Sequence, residues 1–316
     1  MDHALEQLNE YFSGSRKILL ITHRKPDGDA LGSILSLLVY LRRQGKRAEG
    51  LVIDLWPSYF NFLPYVEELK SDFSLLDEPW DLVVVLDSGA WDYTGVRDLK
   101  GRGLKVVNMD HHFTNNKFGD LNLVDEKASS TCELVYKFFL AVGFKIDRQV
   151  ATCLLCGILN DTSGFSNSAT TAFAISAAAQ LLKSGAQISK ITENVFKNKS
   201  LEGLRLWGLI LSRLAFNRRL ELVYTYIQEE ELKRYHVSEE EIDGFVNFLN
   251  SLSNVRGAIF FRINANNTKV SLRTTREDVD LSRLAGFFGG GGHKKAAGFH
   301  LPWALKEAAG RLIVKP

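Results

Sequence analysis

Aspartate and histidine residues recur at four places in the N-terminal half of the chain, three of them directly after apolar runs. The set comprises His23, Asp27, Asp29, Asp87, Asp110, His111, His112 and Asp161. Carboxylates gathered at one place repel each other unless a cation neutralises them. A mixed imidazole and carboxylate set suits Mn²⁺, Fe²⁺, Zn²⁺ or Co²⁺ better than Ca²⁺. The pattern therefore predicts a centre that binds divalent metals.

Each of these residues also has an ordinary structural explanation. Asp29 can cap a helix, Asp27 can form a turn, and His23 can lie on the surface. Asp161 can simply end an apolar helix. The combination favours the metal centre, because several neighbouring strand ends would deliver Asp or His to one edge of a sheet.

The elements that must position these residues follow from apolar periodicity. Four short runs read as strands: 17–22, 47–53, 81–86 and 104–108. The continuous apolarity of 81–86 indicates burial on both faces, as in a parallel sheet, and leucines and isoleucines from 31 to 41 repeat at helical spacing. We therefore predict an α/β fold with a doubly wound, mostly parallel sheet, which binds ligands at its carboxyl edge.

The second half of the chain changes character. Helical patterns cover 131–142, 148–159, 171–183 and about 188–214, and strand-like runs then appear at 221–227, 258–263 and 269–274, with a helix predicted near 239–252. We predict a catalytic metal-binding domain over 1–190, a helical linker over 191–215 and a smaller α/β domain over 216–316. A cleft is expected between the two domains.

Composition limits the classes of function. The 316 residues carry a formal net charge of +2, which argues against a protein that holds long nucleic acid through many phosphate contacts. No apolar run approaches the ~20 residues that span a bilayer, so no membrane partner is expected. The N-terminus does not resemble a secretion signal, and three cysteines are too few for a disulfide framework, which favours the cytoplasm. The Cys153–Cys156 pair is interpreted as buried thiols.

Five motifs, taken together, resemble a known family. HRKPDGDALGS, VVVLDSG, DHH and GILNDTSGF occur in the order found in the DHH phosphoesterase superfamily. GGGGHKKAAGF, near the C-terminus, resembles the signature of the DHH-associated C-terminal domain. The resemblance covers essentially the whole chain, and all the motif residues are present.

The resemblance implies roles for the individual residues. His23, Asp27 and Asp87 would bind one metal ion, and Asp29, Asp87, His111 and Asp161 would bind the other, with Asp87 bridging. His112 would face the substrate phosphate, and Asp110 would orient the ring of a metal-binding histidine. Two divalent ions are expected, with Mn²⁺ favoured and Mg²⁺ or Co²⁺ as alternatives. The implied reaction is hydrolysis of a phosphoester by water activated between two metal ions.

Selectivity is expected from the C-terminal domain. Glycines without side-chain obstruction, a histidine and two arginines there offer phosphate or base contacts. The predicted substrate-binding residues are Arg262, Arg273, Gly290, Gly291, Gly292 and His293. The glycines could instead form a turn and the arginines could be solvated, but Arg273 matches the family's substrate-contacting segment better than Arg262 does.

Within the family, the compact two-domain layout resembles the bacterial nanoRNases, which degrade short oligoribonucleotides and dephosphorylate 3′-phosphoadenosine 5′-phosphate. Short single-stranded RNA or small nucleotides are therefore the expected substrates. The alternatives are a phosphodiesterase of cyclic or linear dinucleotides, a pyrophosphatase or exopolyphosphatase, and a non-catalytic nucleotide sensor. A homodimer is compatible with the sequence.

Overall fold

The computed structural model describes residues 2–96, 103–242, 244–252, 254–308 and 311–314. The chain divides into two compact units, Met1–Asn198 and Lys199–Pro316. The segment 191–215, for which the sequence predicts a linker, is shared between them. No helix in the described part of the chain has the length and apolar character that crossing a membrane requires.

The first unit is built on a five-stranded sheet. Its strands are β1 (Lys17–Thr22), β2 (Arg47–Leu51), β3 (Leu82–Leu86), β4 (Lys105–Asp110) and β5 (Leu121–Val124). They lie in the order β2-β1-β3-β4-β5, and every neighbouring pair is parallel. The predicted parallel α/β fold is confirmed, and β5 is an addition to it.

The longer helices of the same unit are α1 (Asp2–Gly14), α2 (Gly28–Arg43), α3 (Thr131–Ala141), α4 (Arg148–Asp161) and α5 (Ala172–Lys183). The short helix α6 (Ile188–Ile191) continues into a single wide turn, Thr192–Phe196. The main core joins residues of α2, α3 and α4 to one face of the sheet, and a smaller cluster around Trp80 covers the other face. Burial of both faces of the sheet explains why β1 and β3 are almost wholly apolar.

Two glycines allow the helices to approach closely. A Cβ on Gly32 of α2 would lie 2.4 Å from the Cys153 carbonyl oxygen on α4. A Cβ on Gly157 of α4 would lie 2.3 Å from Cys132 Sγ and 2.6 Å from Asp29 Oδ1. Larger side chains at these two positions would push α4 away from the start of α2 and α3.

The second unit contains α7 (Leu201–Ser212), β6 (Ala215–Asn217), β7 (Leu222–Gln228), α8 (Glu229–Tyr235), α9 (Phe245–Phe248), β8 (Gly257–Ile263), β9 (Thr268–Arg273), α10 (Leu281–Phe287), β10 (Gly291–His293), β11 (Ala296–Leu301), β12 (Leu305–Ala308) and β13 (Arg311–Val314). Six of its strands form a mixed sheet in the order β10-β11-β9-β8-β7-β6, and β12 pairs with β13. The strand-like runs 258–263 and 269–274 are present as β8 and β9, which pair as an antiparallel hairpin.

The prediction of one continuous helix near 239–252 is wrong. Two short 3₁₀ turns, Glu239–Ile242 and Leu249–Ser251, flank the single turn of α9. Gly244 precedes α9 with φ 82°, a left-handed conformation that interrupts a right-handed helix. The apolar residues of this segment still enter the core under β7 and β8.

Candidate metal centre

The turn after β1 presents His23 and Asp27 together. Asp27 is the N-cap of α2, and its Oδ1 accepts from the backbone N–H groups of Asp29 and Ala30 at 3.0 and 3.1 Å. His23 Nδ1 lies 2.7 Å from the Arg24 carbonyl oxygen. Because a carbonyl only accepts, Nδ1 carries the hydrogen, and Nε2 is the nitrogen left for a metal.

Asp87 stands at the middle of the site, directly after β3. Its φ is 57°, a left-handed conformation that aspartate tolerates better than most residues. The carboxylate faces histidines on two sides: Oδ2 lies 3.4 Å from His23 Nε2, and Oδ1 lies 3.6 Å from His111 Nε2. Thr131 Oγ1 donates a hydrogen bond to Oδ1 at 3.0 Å. This geometry suits a carboxylate that bridges two cations.

Asp29 is fully buried at the N-terminus of α3. Its Oδ2 accepts from the Thr131 N–H at 2.6 Å and its Oδ1 from the Cys132 N–H at 2.8 Å. The unsatisfied N–H groups and the positive dipole end of a helix stabilise such a carboxylate. Asp29 Oδ2 also lies 3.9 Å from His111 Nε2. The helix start therefore holds this side chain toward the same imidazole as Asp87.

Among the described residues, His111 Nε2 is the atom that most clearly indicates a metal-binding site. This nitrogen is buried and makes no well-aligned hydrogen bond there, although Asp161 Oδ2 lies 3.0 Å away. A buried polar atom without a partner is costly. A cation between the imidazole and the surrounding carboxylates would satisfy it, so the donor set fits a divalent metal.

Three groups of side chains place ligand atoms within 4.8 Å of one another: His23, Asp27 and Asp87; Asp29, His111 and Asp161; and Asp87, His111 and His112. The structure thus brings together all six residues for which the sequence predicts metal binding. The first two groups match the two predicted ligand sets, and Asp87 lies close to both of them.

The electrostatics of the site reflect this crowding. Burial raises the pKa of Asp27 to about 6, and the negative charges of Asp161 and Asp87 add to the effect. Burial also raises the pKa of Asp29 well above its usual value, again with Asp87 and Asp161 contributing. For His23, burial acts to lower the pKa, but the hydrogen bond and charge of Asp87 outweigh it and raise the pKa to about 10. The site therefore favours positive charge, as protons or as metal ions.

His112 occupies a different position from the other histidines. Its Nδ1 lies 2.7 Å from Oδ1 of Asp110, a fully buried residue at the end of β4. Burial acts to lower the pKa of His112, but the hydrogen bond to Asp110 and the charge of Asp87 raise it. Asp110 therefore pairs with His112, and not with a metal-binding histidine as the sequence predicts.

In the second unit, Arg262 and Arg273 lie on the same face of the sheet. Arg273 pairs with Ala258, and Arg262 pairs with Lys269, so alternation places both arginines on one side of β8 and β9. Burial lowers the pKa of Arg273, and the nearby charge of Arg262 lowers it further. Such repulsion between cations is relieved by an anion.

The glycine-rich segment follows the end of α10 and continues into strand β10. A Cβ on Gly290 would meet the Gly298 carbonyl oxygen at 2.1 Å, and one on Gly292 would meet the Ala296 carbonyl oxygen at 2.5 Å. These two glycines are therefore required by backbone packing. Gly291 is exposed, with nothing within 4 Å of an added Cβ. The backbone of His293 pairs with Ala296, and its side chain lies outside what the structure describes.

Sequence reasoning missed Thr131 and Asn115. Thr131 follows the helix cap Ser130, whose Oγ accepts from the Glu133 N–H at 3.1 Å. The Ser-Thr-Cys-Glu stretch, with serine three residues before glutamate, could have indicated a helix start near the site. Asn115 gave no periodic signal, because it lies in a loop and its partners Asp110, Asn108 and Ser88 lie 5, 7 and 27 residues away, at no regular spacing.

Comparison with known proteins identifies the class that this fold and site define. Residues 17–158 match the DHH family, N-terminal domain, and residues 220–313 match the DHHA1 domain. The chain belongs to the DHH family and is a hydrolase of phosphoester bonds.

Among the relatives, a protein of Thermus thermophilus called "Bifunctional oligoribonuclease and PAP phosphatase NrnA" is 34% identical over 89% of this chain and 83% of its own length. A solved structure of an exopolyphosphatase-related protein from Bacteroides fragilis has a TM-score of 0.88 and 27% identity, and covers 95% of this chain and 91% of that chain. RecJ from Thermus thermophilus, solved in complex with Mn²⁺, shares the fold with a TM-score of 0.53 and 14% identity, over 94% of this chain and 51% of that chain.

Proposed function

We propose that this protein hydrolyses short oligoribonucleotides and 3′-phosphoadenosine 5′-phosphate. The observation that carries the chemistry is the pair of ligand groups that meet at Asp87. The similarity to the oligoribonuclease and PAP phosphatase of Thermus thermophilus supports the choice of substrate. A formal net charge of +2 agrees with small anionic substrates rather than long nucleic acid.

We assign one cation to His23, Asp27 and Asp87 and the other to Asp29, Asp87, His111 and Asp161. Two divalent ions in such a centre lower the pKa of a water molecule and neutralise charge on the phosphoryl oxygens. Mn²⁺ is proposed from the family resemblance, and the mixed imidazole and carboxylate ligands are compatible with it. The relative RecJ was solved with Mn²⁺.

The chain's own residues supply the remaining chemistry. His112, with Nδ1 bound to Asp110, would use Nε2 to hydrogen-bond the phosphate or protonate the leaving oxygen. In the second unit, Arg273 and Arg262 would bind substrate phosphates, with Gly291 and His293 contributing at β10. Gly290 and Gly292 would keep that strand close to β11.

The unpaired thiols of all three cysteines agree with a cytoplasmic location.

A substrate panel tests this proposal. Purified protein should shorten 5′-phosphorylated di- to tetraribonucleotides and release phosphate from 3′-phosphoadenosine 5′-phosphate in the presence of Mn²⁺, with Mg²⁺ and Co²⁺ run in parallel. An Asp87→Asn variant prepared in the same way should be inactive, which would exclude a contaminating nuclease. Failure on all these substrates would refute the proposal.

A second candidate is hydrolysis of polyphosphate or pyrophosphate, favoured by the similarity to the exopolyphosphatase-related protein of Bacteroides fragilis. Linear and cyclic dinucleotides belong in the same panel. Phosphate release from polyphosphate at a higher kcat/KM than from any nucleotide would select the second candidate. Tight nucleotide binding without any turnover would indicate a sensor.

A further inference from the structure

The loop after β4 contains an asparagine whose side chain is held at both ends. Asn115 Oδ1 accepts from the Lys117 N–H at 2.7 Å. Because a backbone N–H only donates, the oxygen of the amide must be at this end, and the amide nitrogen must be at the other. The orientation of Asn115 is therefore determined by the hydrogen bonds themselves.

The amide nitrogen of Asn115 faces three oxygen atoms. It lies 2.6 Å from Asp110 Oδ2, 2.7 Å from Asn108 Oδ1 and 3.2 Å from the Ser88 carbonyl oxygen. Asn108 is fully buried in β4, and its own Nδ2 donates to the same Ser88 oxygen at 3.2 Å. Through these hydrogen bonds, Asn115 connects the loop that contains His112 to Ser88, the residue after Asp87.

Asp110 depends on this arrangement. Its side chain is fully buried, with Oδ1 on His112 Nδ1 and Oδ2 on Asn115 Nδ2. No other side-chain hydrogen bond is made by this carboxylate to the described residues. A buried carboxylate oxygen without a donor is costly, so loss of Asn115 would let Asp110 rotate away from its present position.

We propose that Asn115 is a positioning residue for His112, acting through the Asp110 carboxylate. The inference rests on the proposed function, in which His112 contacts the substrate phosphate. With both carboxylate oxygens bound, Asp110 has one orientation and presents a fixed acceptor to His112 Nδ1. The opposite ring nitrogen, Nε2, is thereby directed to the substrate in a constant geometry, as general acid catalysis requires.

A double-mutant cycle tests this role. Asn115→Ala should lower kcat by about 10- to 100-fold with a much smaller change in KM, because the group being positioned acts on the reacting phosphate. In a His112→Ala background the same substitution should have little further effect, since Asn115 acts through that ring. Equal losses in both backgrounds would overturn the proposal.

Asn116→Ala is the matched control. Asn116 is the next residue in the same loop, its side chain is exposed, and its contact with Gly89 is made by the backbone N–H at 2.9 Å. This variant should keep the activity of the wild type. If Asn115→Ala behaved like Asn116→Ala, the proposal would be wrong. If Asn115→Ala does not fold, the double-mutant cycle with His112→Ala is measured with Asn115→Ser instead.

A second readout needs neither metal nor turnover. In metal-free protein with ¹⁵N-labelled histidine, the His112 Nδ1 proton should give a downfield resonance protected from exchange, because it is bound to a buried carboxylate. The resonance should move upfield or broaden in Asn115→Ala and stay unchanged in Asn116→Ala. An identical resonance in all three proteins would contradict the proposal. If the wild type cleaved no nucleotide, the proposed function would fail, whereas this measurement would still decide the role of Asn115.

Discussion

Gly157→Ala should damage the metal centre by a steric route. The added Cβ would lie 2.3 Å from Cys132 Sγ and 2.6 Å from Asp29 Oδ1, whereas ordinary contacts begin at 3.4 Å. The sulfur atom would therefore have to retreat by about 1 Å. The surrounding residues are fully buried, so the displacement is shared by α3 and by the Asp29 carboxylate.

The expected magnitude combines two opposing contributions. Alanine in place of a helical glycine gains about 1 kcal/mol of helix stability. Overpacking of a buried site costs about 1–3 kcal/mol. We expect a net loss of up to about 2 kcal/mol in the free energy of unfolding. Displacement of Asp29 should also weaken Mn²⁺ binding by about 10-fold or more, since a proposed ligand has moved.

Gly208→Ala is the matched control for this experiment. Gly208 lies inside α7, is exposed, and has nothing within 4 Å of an added Cβ. The same substitution there should stabilise the second unit by about 0.5–1 kcal/mol and leave Mn²⁺ affinity unchanged.

Urea denaturation of both variants, together with calorimetric titration of Mn²⁺ into metal-free protein, measures the two quantities. The reasoning would be refuted if Gly157→Ala matched the wild type in stability and in metal affinity. It would also be refuted if the two glycine substitutions shifted stability in the same direction.

Two further predictions concern metal removal and pH. Chelation should lower the thermal midpoint of the first unit. Mn²⁺ at 100 times its Kd should then raise the free energy of unfolding by about 2.7 kcal/mol, and the Asp87→Asn variant should respond much less. An unchanged midpoint in the wild type would contradict metal binding. In the second unit, burial acts to raise the pKa of Glu231, but hydrogen bonds from Arg213 and the Gln228 N–H outweigh it and lower the pKa from 4.5. The stabilising effect of the Glu231 carboxylate should be complete above pH 4.5 and disappear as the pH falls through the lowered pKa. Arg213→Ala should therefore lower the free energy of unfolding, measured by urea denaturation, by about 1 kcal/mol at pH 7 and by much less in strong acid. A loss of stability independent of pH would contradict this prediction.

The parallel sheet could be predicted because burial on both faces leaves continuous apolar runs in the sequence. The strands Lys17–Thr22 and Leu82–Leu86 are almost wholly buried, so their amino-acid composition alone predicts strands of a parallel sheet. Leu121–Val124 was missed because it is only four residues long and contains an asparagine. The edge position of β5 requires no apolar residue on its second face.

The grouping of the proposed metal-binding residues was also predictable, because residues that follow neighbouring parallel strands meet at the same edge of the sheet. Asp87 and His111 come from neighbouring strand ends, and their side chains meet as expected. The supporting contacts were not predictable in the same way. Thr131 reaches Asp87 through one hydrogen bond across 44 residues, and Asn115 reaches Asp110 and Asn108 from a loop without regular structure. Such contacts leave no periodic pattern.

The wrong helix prediction for residues 239–252 has a related cause. Its apolar residues repeat at helical spacing and enter the core, which is the signal that a helix prediction uses. Glycine at position 244 adopts a left-handed conformation, and the chain makes separate short turns instead. Periodicity therefore identified the buried face of this segment but not its backbone conformation.

Anomalous diffraction from crystals grown with Mn²⁺ would test the metal centre most directly. Two peaks should appear in the first unit, about 3.5–4 Å apart, with one Asp87 carboxylate oxygen bound to each ion. One ion should also contact His23 and Asp27, and the other Asp29, His111 and Asp161. A single peak, or two peaks that Asp87 does not bridge, would contradict the two-metal account.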